Sequence, residues 1–500
     1  MEIRSMLFIA AASIIYPLIA YYLLLTLAGI RYYLKFRASM ILDDEHLPTV
    51  TILIPARNEE LVIESTLRAI IQLDYPKEKL EVILLNDGST DRTEEIGRRF
   101  EKEYSFIKVI NVENGGRGKS YALNYGLKFA NGDIIAVYDA DNQPERTSLR
   151  MLVSMIDNKH PVVVGKVKTQ NWDVNILTRF ISMEFMYFQL ISQGGRSKLF
   201  GNALIPGTNF VIKRSLLQEI GGWDENALAE DLELSFRIIE KGYHIAYNPQ
   251  AISWEQEPEH WGTWFRQRVR WATGNVYTAK KYLKNITHLK SIFVKIDILT
   301  VVIMYYLFSF AVLLSDILFM YGIYQGIYLN AYFTIIVWAI VYSIYLFGIY
   351  SSLVLEREYR ISYWVLALVM YYTYSQIWIV ISLKGLDNLR RGVIKWYKTA
   401  RTAILKTLYY PLFGKTVDEE MAKWGINFTF EGKILAREQR VKKIAEQLAI
   451  EEDVPIEDAQ KIVSSILTNS NVVVVSSKKS KAIAIKLGLI PIDRREIYEK

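Results

Sequence analysis

Cysteine is absent from the 500-residue sequence, which excludes disulfide bridges and cysteine-ligated zinc. Internal repeats and low-complexity tracts are absent as well, so repeat architectures are set aside. A third absence is one glycine. Residues 114–120, NGGRGKS, end like a phosphate-cradling P-loop, but that loop needs a glycine five residues before the Gly-Lys pair, where the chain turns to aim its amides. Glu113 stands there. A carboxylate at the mouth of a phosphate nest argues against an ATPase and leaves Lys119 for another use.

Charge is missing from long stretches. Residues 7–29, LFIAAASIIYPLIAYYLLLTLAG, carry none and are long enough to cross about 30 Å of hydrocarbon as a helix. With one positive residue before them and no evident cleavage site, they read as a retained anchor. Two further spans are expected at 298–322 and 331–355, with an aromatic one at 361–383, so the chain reads as a multi-pass protein of the cell membrane. Arg31, Lys35 and Arg37 follow the first span and place 34–290 in the cytoplasm. A full crossing at 361–383 would put the basic stretch 384–406 outside, so that segment is expected to be interfacial or re-entrant. The expected domains are 1–33 (anchor), 34–290 (cytoplasmic domain), 291–411 (hairpin, interfacial helix and the segment after it) and 412–500 (a small α/β appendage).

From residue 48 short β-branched runs alternate with helical stretches: PTVTILIPA, a helix near 60–72, LEVILLND, a helix near 91–103, FIKVINV, a helix near 119–130, then DIIAVYDAD. This predicts an α/β domain on a mainly parallel sheet, whose ligands bind beyond the carboxyl ends of the strands. Residues 173–199, rich in Met and Phe, read either as an amphipathic helix on the membrane surface or as a core helix.

Several clusters can carry chemistry. YDADN (138–142) sets Asp139 and Asp141 at a strand end, where oxygen ligands suit Mg²⁺ or Mn²⁺ with a substrate diphosphate; two solvated turn carboxylates are the alternative. NDGSTD (86–91) is also ordinary turn and capping chemistry. Glu230 and Asp231 open an amphipathic helix, where they serve either the helix dipole or as a general base. HWGTWFRQRVRWATGN (260–275) interleaves five rings with three arginines, a pattern for stacked sugars, membrane surface or single-stranded nucleic acid. An aspartate-rich pocket would repel a polyanion, so no nucleic-acid partner is expected. Arginines there suit a departing diphosphate.

In this order, these pieces resemble the membrane-embedded family 2 glycosyltransferases: cellulose, chitin, hyaluronan and poly-N-acetylglucosamine synthases and their relatives. The likeness runs strongly over residues 48–275 and more loosely to 401. It implies a GT-A type, Rossmann-like cytoplasmic domain with transmembrane helices. PARNE (Pro55, Arg57, Glu59) resembles the first-strand motif near the nucleotide base, with Arg57 where several synthases carry tyrosine. Asp87 matches the aspartate that contacts base or ribose, and Lys119 of GKSYALN the lysine beside the nucleotide. Asp141 matches the metal-bound carboxylate, assisted by Asp139. PGTNFVIKR, with Gly207 and Thr208, resembles the strand near the acceptor, and EQEPE, with Glu257, a segment near the transferred sugar. Asp231 matches the catalytic base of Thr-Glu-Asp, with Glu230 beside it and Ala229 in place of the threonine. Gln267, Arg268, Arg270 and Trp271 fall in Gln-x-x-Arg-Trp, the tryptophan under the acceptor and Arg270 toward the diphosphate. KWYKTAR (395–401), with Lys398, Thr399 and Arg401, resembles the gating segment after an interfacial helix.

The resemblance implies an inverting, metal-dependent transfer from a nucleotide sugar, a UDP-sugar above all, to a growing glycan at the cytoplasmic membrane face. Alternatives are transfer of one sugar to a membrane lipid, and an inactive nucleotide-binding scaffold.

Overall fold

Runs such as Val50–Ala56 carry large apolar side chains on both faces, so the strands they form need cover on both sides. The computed structural model shows how that cover is built. It describes residues 3–36, 42–283 and 328–392, isolated positions between 295 and 324, and, near the C-terminus, 455–467, 472–475 and 490–493 with a few neighbours. The chain begins with α1 (Ile3–Lys35) and then alternates: β1 (Val50–Ala56), α2 (Ile63–Ile71), β2 (Leu80–Asn86), α3 (Thr93–Glu103), β3 (Ile107–Asn111), α4 (Lys119–Leu127), β4 (Ile134–Val137). Next come β5 (Gln143–Pro144), α5 (Ser148–Val153), β6 (Val162–Thr169), α6 (Ile176–Phe188), a π-helical turn (Gln189–Gly195) and α7 (Arg196–Phe200). Then follow β7 (Phe210–Lys213), α8 (Arg214–Glu219), α9 (Glu230–Glu240), β8 (Ile245–Glu255) and α10 (Trp261–Leu283). The helices α11 (Tyr328–Leu355), α12 (Ile361–Met370) and α13 (Tyr374–Arg390) complete the described part of a compact unit, Met1–Thr402. A second unit, Ala403–Lys500, holds α14 (Ile456–Leu467) and the parallel pair β9 (Val472–Val475) and β10 (Ile490–Asp493).

Eight strands form one sheet in the order β3-β2-β1-β4-β7-β6-β8-β5. Ile52 and Ile54 of β1 enter one apolar layer and Leu53 the opposite one, all three fully buried. Each such burial contributes about 1.5–3 kcal/mol relative to exposure. The sheet is mainly parallel, as expected: β1, β2, β3 and β4 run parallel and β6 is parallel to β8, but β7 runs antiparallel to both β4 and β6, and β5 antiparallel to β8. An antiparallel β7 brings the loop before it, Pro206–Asn209, to the carboxyl end of β4.

A third apolar layer joins α6, α10, α11, α12 and α13 around Phe180, Trp264, Leu353, Tyr363 and Tyr374. The stretch 173–199 thus has a core face, while Ile176, Phe188 and Leu199 remain exposed. At the C-terminal end of α1, the Tyr32 hydroxyl donates to the Tyr247 carbonyl at 2.5 Å and the hydroxyls of Tyr33 and Tyr247 lie 2.7 Å apart. Lys166 of β6 sits 5.1 Å from the Tyr33 ring and pairs with Glu356, just past α11, at 2.5 Å; Lys168 pairs with the same carboxylate at 2.8 Å.

Among the described residues, Tyr16–Lys35 is long and apolar enough to cross a membrane, and α12 with α13 meets that test only as a pair, bent by 48°. That bend falls inside the segment expected to be interfacial or re-entrant. The expected span 298–322 and the segment 395–401 lie outside the described residues, isolated positions apart.

Candidate active site

The strand order reverses between β1 and β4, since β2 and β3 lie on one side of β1 and β4 on the other. Such a switch opens a crevice at the carboxyl ends. Register deepens it. β1 and β2 end abreast, Ala56 opposite Asn86, whereas the last β4 pair is Leu53 with Val137, so the chain leaves the sheet early and frees Tyr138–Asn142 to line the gap. Pro55 is held in β1 opposite Leu85. On the β2 side, Asp87 is 4% exposed; one carboxylate oxygen accepts from the Gly116 amide at 2.7 Å and the other from Gly118 at 3.2 Å. Arg57 donates to the Gly116 carbonyl at 3.2 Å. The Glu59 amide donates to the Thr93 hydroxyl at 2.7 Å. The NGGRGK loop is thus fastened over the ends of β1 and β2.

Lys119, first residue of α4, reaches across the crevice. Its ammonium lies 2.6 Å from Asp139 Oδ1 and 3.4 Å from Glu230 Oε1, and donates to the Gly207 carbonyl at 2.7 Å. Burial opposes that charge, but Asp139, Glu230 and Asp231 together outweigh it and hold the ammonium above its ordinary range. Thr208 fixes the loop: its hydroxyl accepts from the Asp139 amide at 3.0 Å and donates to Asn142 Oδ1 at 2.6 Å. Gly207 adopts φ +86°, and a Cβ there would stand 3.2 Å from Asp231 Oδ2. Only glycine combines that backbone with so close a carboxylate.

Asp231 sits in the first turn of α9, where Oδ1 accepts from the Leu232 amide at 2.9 Å. Burial, and next the Glu230 carboxylate, push its carboxyl up to about 7 against the opposing pull of that amide and of Lys119. A carboxylate titrating there is suited to take a proton near neutrality.

At the end of β8, opposite Thr169 of β6, Glu255 is hydrogen-bonded to Glu257. Burial, then Glu257, Asp141 and Asp139, drive the Glu255 carboxyl well above the usual range. Glu257 is 4% exposed and its backbone is clamped by Asn171 through bonds of 2.8 and 2.9 Å. Among the described residues no three acidic or imidazole groups already converge on one point. The donor chemistry still fits Mg²⁺ or Mn²⁺. Asp139 and Asp141 offer hard oxygens, and their crowding with Glu255 and Glu257 is an excess of acidic groups that a divalent cation would relieve.

α10 brings the remaining residues. A Cβ on Gly274 would meet the Ala229 Cβ and amide nitrogen at 2.7 Å, so the helix carrying Gln267, Arg270 and Trp271 rests against the residue preceding Glu230 and Asp231. Arg270 and Trp271 are partly exposed. Arg268, expected at the substrate, is fully buried, donates to Glu184 at 2.7 Å and to Gln267 at 3.0 Å, and its guanidinium lies 4.0 Å from the Trp271 ring centre. A buried guanidinium needs an anion, and Glu184 supplies it. Lys398, Thr399 and Arg401 lie outside the described residues.

Sequence reasoning passed over Asn142, Glu255 and Glu184. Asn142 follows the Asp-x-Asp directly and joins Thr208 to Ser253. Glu184 had one signal, a lone acid in an apolar helix.

Residues 51–221 match the family described as Glycosyl transferase family 2. The chain is 42% identical over 409 residues to the probable glycosyltransferase YdaM of Bacillus subtilis, across 79% of this chain and 97% of that protein. It is 34% identical over 249 residues to the poly-beta-1,6-N-acetyl-D-glucosamine synthase of Staphylococcus aureus, across 49% of this chain and 58% of the synthase. Among solved structures, a mannosyltransferase of Pyrobaculum calidifontis, in complex with GDP-Man and Mn²⁺, aligns over 78% of this chain and 98% of its own with a TM-score of 0.52. At 21% identity that is a likeness of fold.

Proposed function

We propose, for a chain that belongs to glycosyl transferase family 2 and is a glycosyltransferase, that it moves a sugar, with inversion, from a nucleoside diphosphate sugar to a growing glycan at the cytoplasmic face of the membrane. The observation that carries this reading is the pairing of Lys119 with Asp139 beside Gly207, against which the half-buried carboxylate of Asp231 also lies. Asp87, Arg57 and the glycine loop border the place for the nucleotide. A divalent ion held by Asp139 and Asp141 would neutralise the diphosphate and make it a better leaving group. Asp231 takes the proton of an acceptor hydroxyl whose oxygen bonds to the anomeric carbon. The bond to the diphosphate breaks on the opposite face and its electron pair leaves with the nucleotide. Arg270 faces the charge developing on that leaving group. Trp271 and Gln267 form the acceptor floor.

The uncharged run Tyr16–Gly29 in α1, the exposed apolar residues of α12 and α13, and the hydropathy of 298–322 support a multi-pass membrane protein. Similarity to a polysaccharide synthase favours a polymeric product over a single-sugar lipid. The test is a screen of nucleotide sugars with the full-length protein and Mn²⁺ or Mg²⁺, read by nucleoside diphosphate release and product size. Transfer that is lost in Asp231→Asn while donor binding persists is the expected outcome; retained turnover in that variant overturns the assignment. A product of one sugar on lipid would replace the polymer reading.

A further inference from the structure

Glu184 lies on α6, outside every motif, and its carboxylate gathers three elements. Oε2 accepts from Arg268 of α10 at 2.7 Å and from the Tyr374 hydroxyl of α13 at 2.7 Å. The Tyr374 hydroxyl in turn accepts from the Trp264 indole N–H at 3.0 Å. On its far side the Arg268 guanidinium donates to Gln267 Oε1 at 3.0 Å and stacks on Trp271, 4.0 Å from the ring centre.

A guanidinium is planar, so fixing two of its edges fixes its face. Glu184 holds one edge and Gln267 the other, and the face then has one orientation to offer the Trp271 ring. The bond to Gln267 uses its amide oxygen, which leaves the NH₂ as the end turned away from Arg268 and able to donate. One anion thus sets both the tilt of the tryptophan and the sense of the glutamine.

We propose that Glu184 is a positioning residue for the acceptor site, acting through Arg268 on Gln267 and Trp271, and that by sharing one oxygen with Tyr374 it makes α13 part of the acceptor platform. This rests on the reading of α10 as the acceptor floor.

The experiment compares wild type with Glu184→Gln and Tyr374→Phe as full-length proteins. The donor is whichever nucleotide sugar the wild type turns over, and the acceptors are oligomers of the sugar it carries. Glu184→Gln should raise the acceptor KM about tenfold while donor KM and acceptor-independent nucleotide release stay within about twofold; Tyr374→Phe should move the same constant less. The near-ultraviolet indole band should change in Glu184→Gln, and that change should vanish in a Trp271→Phe background. Donor and acceptor constants moving together, or an unchanged indole band, overturns the proposal. If Glu184→Gln does not fold, Arg268→Lys carries the same readouts, because it keeps the charge that balances Glu184 but loses the planar stack. If the wild type turns over no nucleotide sugar, the functional reading fails, and the indole band alone decides whether Glu184 orients Trp271.

Discussion

Asp231 joins chemistry to stability through one ionisation. As the base it must be unprotonated, so kcat/KM should fall about tenfold per pH unit below about 7 and level off above it. Lys119 is among the groups that lower this value, so Lys119→Gln should shift the acid limb to higher pH as well as weaken turnover. The linkage sign follows. The folded-state value lies above the ordinary aspartate value of 3.8, so the folded state binds the extra proton, and stability declines as pH rises from about 4 to about 7. Thermal melts should show Asp231→Asn more stable than wild type at pH 8, with the difference nearly gone at pH 4. Gly207→Ala is a sharper perturbation, since φ +86° and the 3.2 Å approach to Asp231 both resist a methyl group. A cost of about 1–2 kcal/mol is expected, with activity reduced at least tenfold at unchanged donor affinity.

Among elements, the decisive contacts are made where side chains are missing. Gly274→Ala would gain about 0.8–1.0 kcal/mol of helix propensity, but its methyl would meet the backbone nitrogen of Ala229 at 2.7 Å. Backbone cannot swing aside, so the contact decides the sign: a lower melting temperature and a lower kcat. A Cβ on Gly385 of α13 would meet the Ala272 Cβ at 2.9 Å, so that helix seats on α10 in the same way. Much of the site was legible because strand ends are local. Asp87, Asp139 and Asp141 each follow an apolar run, and strands buried on both faces announce themselves by composition. The antiparallel run of β7 was not legible, because pairing partners distant in sequence leave no periodic trace. The burial of Arg268 was not legible for a related reason: alternation of Arg, Val and Arg cannot say which guanidinium faces a buried anion on another helix.

The molecule as a whole combines a crevice of carboxylates with helices fitted to an apolar surface. Chelation should abolish nucleotide release and added Mn²⁺ or Mg²⁺ should restore it, whereas the fold, read by melting, should survive. YdaM is matched over 97% of its length by 79% of this chain, and unit Ala403–Lys500 is compact by itself, so a chain ending at Thr402 should still release nucleotide. Glu356→Gln should loosen α11 from β6, because Lys166 and Lys168 would lose their shared counter-charge in a largely buried setting. That clamp lies beside the Tyr32, Tyr33 and Tyr247 contacts of α1. A helix fastened to the sheet by such a knot is a strut and not a tether. If α1 spans the bilayer, as proposed, the crevice keeps a fixed stand-off from that surface, and acceptors would be sorted by their reach above it as well as by the sugar they present.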